Sequence, residues 1–370
     1  MIIEKLDIAQ FKNYSEAEIV FSPRVNCFLG PNGAGKTNIL DALYYLSFCK
    51  SYFNPVDSQN IRRGSDFLRV HGSYRKNGET QDDLLVLIKK NHRKQVKRNG
   101  KEYDRLADHI GLYPLVMITP SDTSLIHEGS DSRRKFIDGI IAQFDKSYLN
   151  VLLQYNKAVQ QRNALLKSFA ESGNYDPVSI DIWDRQLIQL APQIYHVRKD
   201  FLDMFIPVFQ KYFRFIAGSE EKAGLAYESQ MNRESMEHLL KANNDKDRIM
   251  KFSTVGPHKD DFVFMINDFP LKKFGSQGQQ KSYIVAAKLA QYEYMNNIKG
   301  FKPILLMDDI FDKLDQKRVE QIMVLVSENN FGQIFITDTQ HDRIEKAFSR
   351  INTHKKFFSV NNGQIEEVSS

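Results

Sequence analysis

Gly30-Pro31-Asn32-Gly33-Ala34-Gly35-Lys36-Thr37 decides the fold of this chain. The stretch fits G-x-x-x-x-G-K-[ST] at every fixed position. It follows the apolar run Val25–Leu29 and opens a segment with apolar residues at helical spacing, Ile39, Leu40, Leu43 and Leu46. A strand, a glycine turn and a helix in that order aim backbone N–H groups into one concavity at a helix N-terminus, which is an anion site. In such a loop Lys36 reaches the β- and γ-phosphates, and the Thr37 hydroxyl coordinates Mg2+. The expected ligand is therefore ATP, held by Gly30, Pro31, Asn32, Gly33, Ala34, Gly35, Lys36 and Thr37.

Composition sets the frame for that loop. The 370 residues are 42% hydrophobic and 26% charged, enough to bury a core in one large domain or two lobes. A net charge of +5, from 51 basic and 46 acidic side chains, permits a nucleic-acid partner through local patches without demanding one. Two cysteines, Cys27 and Cys49, exclude a disulfide framework and fit a reducing compartment. The opening MIIEKLDIAQF carries Glu4, Lys5 and Asp7 within its apolar run, so it does not read as a signal peptide. No stretch reaches the ~18 uncharged apolar residues of a membrane span. A soluble cytoplasmic protein with no membrane partner is expected.

Outward from the loop, residues 1–30 read as short strands, and residues 67–105 return to strand texture with Leu84–Ile88 as the strongest run. Asn99-Gly100 is a hairpin turn signal, and Val116–Thr119 is a further strand. From Arg133 to Ile216 the apolar residues recur at helical intervals, interrupted at Gly173–Pro177, with Pro192 and Pro207 expected to bend or cap the later part. Gly218–Ala226 reads as a loop. Beyond Gly256-Pro257 come a helix from Gln279 to Asn297, a buried strand Ile304–Met307, a helix Gln316–Ser327, a strand Ile334–Thr337 and a helix near Arg343–Phe348. The chain is α/β at both ends with a mainly helical middle. The ends are expected to form one sheet, and the middle a separate lobe. The corresponding divisions are 1–132, 133–255 and 256–370.

Two further motifs bear on chemistry. Ile304-Leu-Leu-Met-Asp308-Asp309 is an apolar strand that delivers two carboxylates at its C-terminal end. Asp308 suits the Mg2+ shell, and Asp309 could orient or deprotonate an attacking water. A core strand ending in a solvated acidic turn is the plainer reading. Phe274-Gly-Ser276-Gln-Gly278-Gln279-Gln-Lys-Ser282 stands at a helix start, where Ser276 and Gly278 suit either a second anion site or an ordinary serine cap.

Together, Gly30–Thr37, Ser276-Gln-Gly-Gln279, Asp308-Asp309 and Lys313-Leu314-Asp315 resemble the ATP-binding-cassette heads of SMC-like DNA proteins. Within that group the chain is similar, end to end, to the bacterial RecF family. The likeness runs through Phe11-Lys12-Asn13-Tyr14, Asn38–Leu43, Pro120–Gly129 with Arg133-Arg134, Gly256-Pro-His-Lys-Asp-Asp261, Gly275–Lys281 and Leu305–Asp315, in the family's order. The implied fold is an α/β P-loop head of SMC/RecF type with an inserted, mainly helical second lobe. The resemblance implies heads that dimerise on ATP, with Ser276, Gly278 and Gln279 of one copy at the γ-phosphate held by the other. It places Asp315 at that interface, and Lys12 and Asn13 near the nucleotide. It implies recognition of gapped or junction DNA, loading of RecA with RecO and RecR, support of the SOS response, and slow ATP hydrolysis involving Lys36 and Asp309.

Two departures from the wider cassette pattern stand out. Asp309 occupies the place usually held by Glu, and its shorter reach suits a switch better than a motor. Asp338 occupies the place expected for a switch histidine, so that role stays open between Thr337 and His341. No glutamine stands clearly after an early strand; Ser121 and Asp122 are near its expected position.

Basic residues cluster at Lys89-Lys90-Asn-His92-Arg93-Lys94-Gln-Val-Lys97-Arg98-Asn-Gly-Lys101, and again at Arg133-Arg134-Lys135. Each suits phosphate contact on DNA, and each also reads as solvated surface charge. The alternatives are the ATPase head of another SMC-like DNA-processing complex and that of a membrane transporter. Transporter heads keep loop and carboxylate strand close, whereas here most of the chain separates Lys36 from Asp308. The helical middle lacks the sustained heptads of a long coiled coil.

Overall fold

The burial pattern of β1 (Ile2–Phe11) shows how the first sheet is built. Ile3, Leu6, Ile8 and Phe11 turn inward, and a register shift between Ile3 and Lys5 breaks the strict alternation. The computed structural model describes residues 1–76, 80–218, 221–310, 316–327, 331–340 and 353–368. β1 pairs antiparallel with β2 (Tyr14–Val20), and with β4 (Phe67–Lys76) after the intervening β3 (Val25–Leu29). The sheet continues through β5 (Thr80–Lys89), β6 (Gln95–Arg98) and β7 (Lys101–Glu102) in the order β2-β1-β4-β5-β6-β7. Asn99 and Gly100 turn the β6–β7 hairpin with φ of 51° and 79°, the left-handed pair that such a turn needs.

A second six-stranded sheet holds the phosphate loop. β3 is buried at all five residues and lies parallel to β13 (Ile334–Asp338) and β14 (Lys355–Asn361). With β8 (Leu115–Ile118), β12 (Ile304–Asp308) and β15 (Gln364–Val368) the order is β15-β14-β3-β13-β12-β8. The two chain ends thus share this sheet, as expected, and the N-terminal part builds the antiparallel sheet in addition. β3, β12 and β13 are apolar on both faces, as covered parallel strands must be, while the strands of the first sheet alternate and keep one wet face. Helix α1 (Lys36–Phe48) joins them: Ile39, Leu40, Leu43 and Leu46 pack in one core with Leu68 and Val86 of the first sheet and Phe28, Leu306 and Phe335 of the second. Both cysteines are buried here as free thiols.

The chain divides into two compact units: Met1–Asp122, Phe215–Gly218 and Lys281–Ser370 form one, Thr123–Arg214 and Ser219–Gln280 the other. The second is built on α2 (Ser124–His127), α3 (Ser130–Ala142), α4 (Lys146–Ser172) and most of α5 (Pro177–Ala217). Asp145 caps α4 by accepting from the Tyr148 N–H, and Gly173 ends it at φ 70°. Pro192 and Pro207 do not end α5; both lie inside one continuous helix. Its face of Phe201, Phe205, Phe209 and Phe213 is fully buried, and that burial outweighs the lost backbone hydrogen bonds. The stretch Gly218–Ala226, expected as a loop, runs into β9 (Ala223–Glu228), paired along its length with β10 (Asp261–Ile266) in a small sheet completed by β11 (Phe269–Pro270). Its partner is remote in sequence, so local texture gave no sign of it. The short helices α6 (Met236–Ala242), α7 (Asn244–Met250) and α8 (Leu271–Phe274) and the start of α9 (Gln277–Lys299) complete the unit. In the first unit α10 (Gln316–Ser327) follows β12.

Candidate nucleotide-binding site

The phosphate loop is closed tightly against its surroundings. Gly30 has φ 156°, and a Cβ there would lie 2.1 Å from the Val360 carbonyl oxygen of β14. Gly35 has φ 116°, and a Cβ there would meet Asn13 Nδ2 at 2.4 Å. Side chains at either position are excluded by backbone strain and by space. Lys36 is buried, and its Nζ donates to the carbonyls of Gly30 at 2.7 Å and Pro31 at 2.9 Å, so the ammonium spans the mouth of the loop. The N-terminus of α1 has no side-chain cap and no carboxylate in its first turn. Its N–H groups and dipole are left to an external anion.

The turn between β1 and β2 braces the loop from outside. Asn13 Nδ2 donates to the Ala34 carbonyl at 3.1 Å, Asn13 Oδ1 accepts from Asn38 at 2.7 Å, and the Tyr14 hydroxyl donates to the Gly35 carbonyl at 3.1 Å. The Gly363 N–H, in the β14–β15 turn, donates to the same Ala34 carbonyl at 3.2 Å. Lys12, in the β1–β2 turn, is directed to α1: its Nζ lies 2.6 Å from fully buried Asp41 and 5.4 Å from the Phe53 ring centroid. The parts played by Tyr14 and Gly363 were missed from sequence, because their contacts depend on neighbours brought together by the sheets.

Across the sheet, the Thr37 hydroxyl reaches the Asp308 carboxylate at 2.9 and 3.1 Å. Thr337, fully buried on β13, donates to Asp308 Oδ1 at 2.8 Å and accepts from the Asp309 N–H at 2.9 Å. One threonine therefore seats both carboxylate residues, and Asp309 takes a left-handed φ of 48° where the strand ends. Burial pushes the Asp308 carboxyl above the usual carboxylate range, opposed by the two threonine hydroxyls. Thr37 and Asp308 are hard oxygen donors converging beside the phosphate loop, a set that fits Mg2+. Asp315, His341 and the expected helix near 343–348 lie outside the described residues.

At the start of α9 the geometry is a capping box. Ser276 Oγ accepts from the Gln279 N–H at 3.2 Å, and Gln279 Oε1 accepts from the Ser276 N–H at 2.6 Å. Ser276 is exposed and Gly278 half-buried. Asp122 is buried, bound to Lys288 at 3.0 Å and to the Tyr52 hydroxyl, while Ser121 is exposed.

Arg133 and Arg134 are not a free basic surface. Arg133 grips Asp261 through two bonds of 2.7 and 2.8 Å, and Arg134 donates to the Asp260 carbonyl at 2.6 Å. Their cost at a helix start is offset by these partners on the Gly256–Asp261 segment, which also receives buried Arg198 from α5 at Pro257 O and Asp260. In the other basic run, Lys94 is drawn to Cys49 O and Asp57, and Arg98 to Asp82. His258 is engaged with the Tyr155 hydroxyl at 2.8 Å and the Ser253 carbonyl at 3.1 Å, as a structural histidine.

A glycine loop at an uncapped helix N-terminus, facing a strand-end carboxylate pair in a chain with an inserted helical unit, defines an ATP-binding-cassette head of SMC type. The RecF/RecN/SMC N terminal domain family matches residues 2–366. The DNA replication and repair protein RecF of Phocaeicola vulgatus is 46% identical over 99% of this chain and 98% of its own length. That of Flavobacterium johnsoniae is 47% identical over 97% and 100%. The chain belongs to the RecF family of DNA replication and repair proteins. A solved structure of the recombination mediator protein RecF with ATP, in the RecFOR pathway, matches with a TM-score of 0.90 at 27% identity over 100% of this chain and 98% of that one. An Smc head bound to the C-winged helix domain of ScpA shares the fold at a TM-score of 0.59 and 17% identity. Among the described residues no helix is long and apolar enough to cross a membrane.

Proposed function

We propose that this chain binds ATP with Mg2+ at Gly30–Thr37 and pairs two copies on gapped or junction DNA, where it helps to load RecA recombinase together with RecO and RecR. The reading is carried by the convergence of Lys36, Thr37 and Asp308 at an uncapped helix N-terminus. Thr37 and Asp308 hold the metal, Lys36 binds the β- and γ-phosphates, and Asp309 positions the attacking water. Asn13 supports the loop, and Lys12 lies beside it. Ser276, Gly278 and Gln279 of one copy complete the γ-phosphate site of the other, with Asp315 at the same junction. The short reach of Asp309 keeps hydrolysis slow, so the nucleotide acts as a switch. Work on DNA during repair, replication restart and the SOS response places the protein in the cytoplasm.

Light scattering with and without ATP tests the shared site. The wild type is expected to dimerise with ATP. Lys36→Arg weakens the nucleotide-dependent step, and Ser276→Arg blocks dimerisation while leaving ATP binding by the monomer intact. Dimer populations unchanged in both variants would overturn the shared-site reading. DNA binding across gapped, single-stranded and duplex substrates, with no ATP effect on any of them, would count against the mediator role.

A further inference from the structure

The basic run at residues 89–101 is split by the fold, and part of it gains neighbours that are distant in sequence. Lys94 and Arg98 turn to buried or half-buried acceptors, whereas Lys89, Lys90 and Arg93 at the β5–β6 turn stay exposed. Beside this turn lies a second, at Arg62–Asp66. Phe67 pairs with Lys89, the Lys90 N–H donates to the Asp66 carbonyl at 2.9 Å, and the Arg62 N–H donates to the Gln10 carbonyl at 2.8 Å. Arg62 and Arg63 are both exposed. Five cationic side chains therefore lie on these two adjacent turns, whose own residues include one carboxylate, Asp66, which pairs with Lys90 at 3.0 Å. The side chains of Arg62, Arg63, Lys89 and Arg93 make no ion pair among the described residues.

Cations often guard a sheet edge against pairing with another chain. That role does not apply here, because both turns connect to β4 and β5, which are interior strands of the β2-β1-β4-β5-β6-β7 sheet. Nor do these groups neutralise buried acids. A concentrated positive surface, four of whose five cations make no ion pair among the described residues, in a chain whose charges are otherwise nearly balanced fits a polyanion with regularly spaced phosphates.

We infer that Arg62, Arg63, Lys89, Lys90 and Arg93 form a contact surface for the phosphate backbone of DNA, binding it without reading bases. The inference rests on the proposed DNA-binding function and names the surface that serves it. Three arginines suit close phosphate contact by their forked donors, and the two lysines add point charges.

The test is the salt dependence of duplex DNA binding by the full chain, followed by fluorescence anisotropy with ATP present. Each phosphate contact contributes about 0.9 to the slope of log K against log salt. Replacing Arg62, Arg63, Lys89 and Arg93 with Ala is expected to lower the slope by about 3 to 4, with melting temperature and ATP affinity unchanged. Lys241→Ala with Lys246→Ala, exposed cations of the helical unit, is the control and leaves the slope nearly unaltered. An unchanged slope in the fourfold variant, or an equal fall per charge in the control, would overturn the inference while leaving DNA binding itself intact. A wild-type protein that binds no DNA in either nucleotide state would instead remove the functional reading, and the inference with it.

Discussion

Thr37 and Asp308 stand 271 residues apart in sequence and meet at 2.9 Å. Parallel pairing makes this possible: β12 runs beside β13, and β13 beside β3, so the C-terminal ends of β3 and β12 open on the same edge of the sheet. The Thr337 hydroxyl, on the strand between them, then fixes Asp308 in place.

Burial of Asp308 costs the folded chain stability. Its carboxyl is raised by burial, so the folded chain holds a proton at pH values where the unfolded chain has released it. Stability therefore falls as pH rises from the ordinary carboxylate range through the raised value, and the full penalty remains above it. Asp308→Asn keeps an acceptor for Thr37 and Thr337 and removes that penalty. Without nucleotide it should melt a few degrees higher, a gain of about 1 kcal/mol. The same variant should lose the Mg2+-dependent part of ATP affinity, measured by titration with Mg2+ and with EDTA.

The brace on the phosphate loop predicts a binding defect remote from the phosphates. Asn13→Ala removes the amide that joins Ala34 to Asn38. ATP affinity should fall roughly tenfold, about 1.4 kcal/mol, with little change in melting temperature. Gly30→Ala meets the Val360 carbonyl and should lose both ATP affinity and thermal stability. Isothermal titration and thermal melting separate the two variants.

His109 makes the first unit acid-sensitive. It is fully buried, its Nε2–H donates to the Leu46 carbonyl at 2.6 Å, and burial lowers its pKa to about 4. The unfolded imidazole takes up its proton near pH 6.5, the folded one only near 4, so stability is full above 6.5 and is lost as pH falls between those values. The loss approaches about 3 kcal/mol at the acid end. His109→Gln should flatten that segment of the stability–pH curve, as read from urea midpoints at pH 7, 6 and 5.

Arg198 holds the helical unit together. It is 2% exposed and joins Asp138 of α3 at 2.9 Å to Asp260 at 3.1 Å and Pro257 O at 2.8 Å. Arg198→Met leaves Asp260 buried without its cation and should cost about 3–5 kcal/mol in chemical denaturation. Adding Asp260→Asn should recover part of that loss, which simple removal of packing would not allow.

Much of this molecule follows from local sequence. The phosphate loop was legible because its chemistry is written in consecutive residues: glycines for left-handed backbone, then Lys36 and Thr37 at a helix start. The buried strands Val25–Leu29, Ile304–Met307 and Ile334–Thr337 were legible because a strand covered on both faces must be apolar throughout. Strand β9 was not legible, since its stability comes from β10, and α5 passes two prolines because tertiary burial outweighs a local preference. Charge was the least legible feature. Arg133 and Arg134 read as a basic cluster, yet the fold supplies Asp260 and Asp261 to absorb them; Arg62 and Arg63 read as nothing, yet the fold sets them beside Lys89 and Arg93. The sequence by itself determined a phosphate-loop motif at Gly30–Thr37 between a strand and a helix, and the residue types that make it up. Only the tertiary structure decided what braces the loop, that Thr337 seats Asp308 and Asp309, and which cations remain exposed, because side-chain pairing at these distances depends on neighbours that chain order does not specify.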